Sequence, residues 1–183
     1  MAVIKPFKSI RPRKGLEDKI AALPYDVYNR SEAKQAVKDN PLSFLNIDRP
    51  ETQYDDDFDM YSDESYQTAA RLLDGMLERN EYIRDDKAYY YIYELTMNGR
   101  AQTGIVAVAS VDDYINETIK KHENTRADKE LDRIKHVDTL SKQTGPIFLA
   151  YKSNEAINSI VDKVKTTEPL YDFVSDDLIS HRV

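Results

Sequence analysis

The chain has 183 residues, with 40% hydrophobic and 32% charged residues and a formal net charge of −7, which fits one domain with a sizeable core and leaves little room for two. It contains no cysteine, which excludes disulfides, iron–sulfur clusters and thiolate zinc sites and suits a reducing cytoplasm. A sequence pI near 5.1 speaks against a nucleic-acid partner. No apolar run approaches the ~20 residues of a membrane-spanning helix, and Lys5, Pro6 and Lys8 interrupt what would be the core of a secretory signal. A cytoplasmic protein without membrane contact is expected.

In chain order, Val3–Ile10 reads as a first strand, with Pro6 and Pro12 assigning it to an edge. Pro24 holds Leu23 extended ahead of the turn Leu23–Val27 (LPYDV). Ser31 is the expected N-cap of a helix to about Asp39, which Asn40-Pro41 ends, and Ser43–Ile47 reads as a short buried strand. Glu51–Glu64, with five Asp and two Glu, reads as a surface loop. Ser62 caps the clearest amphipathic helix, with Asp63 and Glu64 in its first turn, Tyr66, Ala69, Ala70, Leu73 and Leu77 at helical spacing, and Asn80 as a left-handed stop.

Two strand-like runs, Ala88–Met97 and Ala101–Val111, flank Asn98-Gly99, a strong hairpin signal. A helical turn over Asp113–Ile119, a helix over Asp128–Lys142, a strand over Gly145–Tyr151 and a helix over Asn154–Lys165 complete the pattern. The expected fold is α+β (mixed α/β): a central, mostly antiparallel sheet with a hairpin at 88–111, flanked by helices and incomplete as it stands.

Lys120–His136 (KKHENTRADKELDRIKH) carries six basic residues against four acids in an acidic chain, and two of its three histidines. Local positive charge of this kind suits a small anionic ligand better than nucleic acid. On a helix, Lys129, Asp132, Arg133 and His136 share one stripe, with Leu131, Ile134 and Val137 on the other side, free to pack inward. A solvated polar face is the bland reading. Two details favour a site: Lys129 and Arg133 are like charges four apart, and Arg126 and His122 precede a helix N-terminus that offers backbone donors. Arg126, Lys129, Arg133 and His136 are the phosphate-binding candidates. His122 and Glu123 are acid–base candidates, although Glu123 is equally suited to pair with Lys120 or Arg126. Tyr25, Asp26, Thr125 and Asp132 are secondary candidates, Asp26 either to orient a basic partner or to stabilise its turn.

His122 and His136 match no helical zinc spacing. The acids Asp55, Asp56, Asp57 and Asp59 lack the glycine and distal glutamate of a calcium loop. The tyrosines at 89–91 and 93 fit a half-buried strand more simply than a base-stacking platform. With five glycines there is no phosphate-binding glycine loop.

Several segments resemble the N-terminal part of the bacterial and archaeal domain-of-unknown-function family 1015: IKPFKSIRP at Ile4–Pro12, LPYDV at Leu23–Val27, NPLSFLNIDRPE at Asn40–Glu51, and above all IKKHENTRADKELDRIKHVDTLSKQTGPIFLAY at Ile119–Tyr151. Members of that family are longer. Their second half carries an Asp-Gly-His-His-Arg-like motif similar to the phosphate-handling motif of ParB/sulfiredoxin-type proteins, a superfamily that includes free-serine kinases. This chain lacks that motif and has Ala127 where members have proline, which loosens a helix start without removing a functional group.

The resemblance implies a phosphotransferase acting on a free hydroxy amino acid, with a nucleotide and magnesium as cofactors. The alternative is a non-catalytic nucleotide- or phosphometabolite-binding module. Residues 1–183 would then be a single N-terminal domain or a fragment of a longer protein. Its last strand, ending at Val183, would lack a neighbour, and self-association through that edge is expected.

Overall fold

The computed structural model describes residues 2–122 and 124–183. Among the described residues eight strands form: β1 (Ile4–Lys5), β2 (Ile10–Pro12), β3 (Tyr82–Arg84), β4 (Tyr91–Met97), β5 (Arg100–Val106), β6 (Val108–Ala109), β7 (Asp172–Val174) and β8 (Ser180–Arg182). Seven helices accompany them: α1 (Glu17–Ile20), α2 (Arg30–Val37), α3 (Leu45–Asp48), α4 (Asp63–Glu78), α5 (Val111–Ile115), α6 (Ala127–Leu140) and α7 (Glu155–Lys165). The sheets are small and antiparallel, so the fold is α+β. The chain divides into two compact units, one of Met1–Asp18, Arg84–Glu123 and Phe148–Val183, the other of Lys19–Ile83 and Asn124–Ile147.

The first unit is built on the hairpin. Asn98 (φ 51°) and Gly99 (φ 76°) both take left-handed backbone, as a two-residue loop matched to strand twist requires, and this sets the register from Met97↔Arg100 to Tyr91↔Val106. The sheet order is β5-β4-β8-β7. Leu95 and Phe173 face His181 from opposite sides, so the strand near the chain's end has a neighbour on both edges. The Val183 N–H also donates to the Tyr171 carbonyl at 3.0 Å. An unpaired edge at Val183 is therefore incorrect: β7, too short to be conspicuous in the sequence, covers it.

The expected single strand at Val3–Ile10 is interrupted at Pro6, which has no N–H for a ladder; β1 pairs with β6 and Phe7 makes its own bridge to Tyr89. Gly145–Tyr151 forms no strand, and Ile147 and Phe148 are 75% and 80% exposed. An apolar run needs a ladder partner to become a strand, and among the described residues no strand pairs with this one.

The second unit is helical and holds most of the buried apolar residues, among them Ile20, Ala33, Leu45, Ile47, Leu73 and Met76. The cap of α2 is Asn29 rather than Ser31. Asn29 Oδ1 accepts the Glu32 N–H at 3.0 Å and Glu32 Oε2 accepts the Asn29 N–H at 2.8 Å, a reciprocal capping box. Ser43–Ile47 is not a strand. Leu45, Asn46 and Ile47 are consecutively buried in a one-turn helix, and a short apolar run has too little periodicity to separate the two states. Around α4 the expectations hold: Ser62 caps it, Tyr66, Ala69 and Leu73 are buried, and Asn80 (φ 55°) leaves it left-handed.

Helix α6 packs on α4 with the opposite face to the one expected. Asp132, His136 and Leu140 are buried, whereas Leu131 and Ile134 are 63% and 50% exposed. Asp132 goes inside because the Tyr66 hydroxyl and the Arg133 guanidinium bond to it there.

Candidate functional site

The buried stripe of α6 forms one wall of a cavity of about 310 Å³ in the second unit. The Tyr25–Tyr28 turn, the segment Asp48–Glu51, Met60 and Tyr61, and the first turn of α4 form the rest. Pro24 starts the turn at φ −52°, ψ 139°, and Tyr25–Val27 then close one 3-10 turn. Arg49 fastens it: Nη1 donates to the carbonyls of Tyr25 (2.9 Å) and Tyr28 (2.7 Å), while Nε donates to Glu51 Oε1 at 2.5 Å. Both partners of that ion pair are buried, so the Glu51 expected on a solvated loop is in fact an internal counter-ion.

Asp132 organises the opposite wall. Its Oδ1 accepts the Tyr66 hydroxyl at 2.9 Å, and its Oδ2 accepts Arg133 Nε and Nη2 at 3.1 and 2.9 Å. This fork lays the Arg133 guanidinium 4.3 Å from the centre of the Tyr25 ring and brings Nη1 to 3.7 Å from Asp48. His136 Nε2 lies 3.6 Å from the same Asp48 oxygen, beyond hydrogen-bond reach. Among the described residues, two buried side-chain polar atoms have no hydrogen-bond partner, His136 Nε2 and Ser65 Oγ, and both residues line this cavity.

Burial raises the Asp48 carboxyl to about 6, with Arg133 opposing the rise and Asp132 adding to it. Burial lowers the His136 imidazole to about 4, reinforced by the Arg133 charge and opposed by Asp132. Burial and the bond to Asp132 also raise the Tyr66 phenol. At pH 7 the cavity thus presents an ionised Asp48, a neutral imidazole and a protonated phenol.

These shifts set opposed pH dependences. Asp48 holds its proton to higher pH in the folded chain, so its contribution is fully present below about 3.8 and is lost as pH rises through 6. His136 acts the other way: acidification below 6.5 protonates the unfolded chain first, and stability falls down to about pH 4. Asp48→Asn removes the compensation. Its unfolding free energy should fall on acidification from pH 6.5 to 4 more steeply than the unsubstituted chain's, with an added slope of up to about 1.4 kcal/mol per pH unit. Urea unfolding at pH 7, 5.5 and 4.5 measures this, and parallel curves for the two proteins would contradict it.

The remaining candidates are dispersed. Lys129 lines the cavity, its ammonium 3.4 Å from the Tyr61 hydroxyl and 5.9 Å from that ring's centre, with no carboxylate partner among the described residues. Asp26 lines it from the exposed turn. Arg126 does not: its Nε and Nη2 donate to Asp128 at 3.1 and 2.8 Å, so the anion next to the α6 N-terminus is the helix's own carboxylate. Thr125 is exposed, His122 is exposed in the first unit, and Glu123 lies outside the described residues. Among the described residues no group of three or more acids or histidines could hold a metal ion. Asp48, Arg49, Glu51, Ser65 and Tyr66 were not candidates from sequence. The available signal was a set of charges, Asp48, Arg49 and Glu51, directly after the buried Leu45 and Ile47.

Residues 4–183 match the model of a family described as protein of unknown function (DUF1015). No curated protein and no solved structure matches the chain. No helix among the described residues is long and apolar enough to cross a membrane.

Proposed function

We propose, on the premise that the chain belongs to the DUF1015 family, that the cavity is the substrate site of a small-molecule phosphotransferase acting on a free hydroxy amino acid with a nucleotide donor. One observation carries the reading: the lining combines an ammonium without a carboxylate partner among the described residues, Lys129, with the carboxylate of Asp48, which has the neutral His136 imidazole at 3.6 Å and the Arg133 guanidinium no closer than 3.7 Å. A zwitterion satisfies both, its anionic end on Lys129 and Arg133 and its ammonium or hydroxyl end on Asp48. The cavity, at about 310 Å³, is at the small end of ligand sites and suits a small metabolite. Phosphoryl transfer needs chiefly positioning and charge stabilisation, for which a preformed polar cavity is suited.

The test is turnover: L-serine with ATP or ADP should yield O-phosphoserine. Lys129→Ala should weaken binding of L-serine and O-phosphoserine by about tenfold while changing stability by no more than about 1 kcal/mol. Unchanged affinity with a large loss of stability would make Lys129 structural.

A second reading, a non-catalytic sensor of a phosphorylated metabolite, is favoured by the pairing of Arg133 with Asp132, which leaves that guanidinium less charge to spend on a transferred group. Binding without product would support it.

A further inference from the structure

We infer that the buried end of the cavity is an alcohol subsite, in which Ser65 Oγ and His136 Nε2 hold a substrate hydroxyl and Asp48 takes its proton. The inference rests on the reading of the cavity as a substrate site and names the chemistry of its buried end. An alcohol has one hydrogen to give and two lone pairs. The cavity offers a matching set: one carboxylate whose Oδ1 lies 3.6 Å from His136 Nε2 and 3.7 Å from Arg133 Nη1, both beyond hydrogen-bond distance, and two buried polar side-chain atoms without partners among the described residues.

Other groups fit worse. A ligand carboxylate here would face Asp48 as a like charge, and an ammonium could not accept from Ser65 or His136. An apolar group would leave both orphans unpaired, and a buried orphan is costly enough that native proteins rarely keep one without a use. Ser65 and His136 are both 1% exposed, so these atoms cannot turn outward to bulk water.

In the reaction, one of the two accepted hydrogen bonds gives way and the lone pair it frees on the hydroxyl oxygen forms the new O–P bond, while the bond from that phosphorus to the nucleotide's leaving oxygen breaks, that electron pair remaining on the nucleotide. The hydroxyl proton passes to Asp48 Oδ and from there to solvent. Asp48 is ionised and His136 neutral at pH 7, the states this arrangement uses. His136 then donates from Nε2 as a neutral imidazole and carries no charge of its own to the site.

Ligand pairs differing in one hydroxyl provide the test: L-serine with L-alanine, L-homoserine with 2-aminobutyrate, and glycerate with lactate, each titrated calorimetrically into the full chain and into Ser65→Ala. At least one hydroxylated member should bind ten-fold or more tighter than its partner, and Ser65→Ala should remove most of that preference without lowering thermal stability, since it deletes an unsatisfied group. Preference for glycerate with none for the amino acids would support the subsite and overturn the amino-acid reading above. Selective binding without phosphorylated product would support the subsite and overturn phosphoryl transfer. Equal binding within every pair, no binding by any member, or a preference that survives in Ser65→Ala would overturn the alcohol subsite. For a pair that does turn over, Asp48→Asn should lower kcat at saturating ligand by 100-fold or more, whatever its effect on affinity; an unchanged kcat would remove Asp48 from the proton's path.

Discussion

Arg49→Ala should lower the unfolding free energy by about 3–5 kcal/mol, among the largest single losses available in this chain. Glu51 is 1% exposed, and its counter-ion is the Arg49 guanidinium at 2.5 Å. Removing the arginine leaves a carboxylate in the interior with no cation, and also frees the carbonyls of Tyr25 and Tyr28. The loss concerns the broken pair rather than the pair's net worth. Arg49→Met with Glu51→Leu should therefore be closer in stability to the unsubstituted chain than Arg49→Ala alone. Chemical denaturation of the three proteins at pH 7 is sufficient. A single substitution costing less than about 1 kcal/mol would place the pair in solvent.

Asp132→Ala should follow, with a loss of about 2–4 kcal/mol. One carboxylate there accepts from Tyr66 and from two nitrogens of Arg133, so its removal strands a buried phenol and releases a guanidinium. The consequence reaches function, because Arg133 is held over Tyr25 by that fork. Ligand affinity should fall together with stability in Asp132→Ala, whereas Lys129→Ala should lower affinity alone. Circular dichroism melts paired with L-serine titrations separate the two patterns, and a stable Asp132→Ala with normal affinity would show that the fork holds nothing in place.

The parts of the fold that could be read in advance are those decided by local chemistry. Asn98-Gly99 specifies its hairpin because both residues tolerate left-handed backbone. Ser62 and Asn154 specify helix starts because their side chains accept from the first turn. What could not be read depends on distant partners. Periodicity placed Lys129, Asp132, Arg133 and His136 on one stripe of α6, but which face turns inward is set by Tyr66 and Asp48, far away in sequence. Hydrophobicity alone pointed the helix the wrong way. Asp48 and Glu51 were obscured for a related reason: a carboxylate is ordinarily a surface residue, and only the arginines beside them show that these two are internal. The short apolar run that made Ser43–Ile47 look like a buried strand was too short to separate strand from helix.

The imidazole nitrogens of His136, followed by ¹⁵N NMR during a titration with L-serine, test the assignment of this cavity most directly. The chain has only three histidines, so substitution of His122 and His181 identifies the resonances. L-Serine in the cavity should shift His136 Nε2 in a saturable manner, leave His122 and His181 in place, and require about ten-fold more L-serine for the same effect in Ser65→Ala. A titration that moves only His122 or His181, or that leaves His136 unchanged while serine demonstrably binds, would put the ligand elsewhere and contradict the site described above.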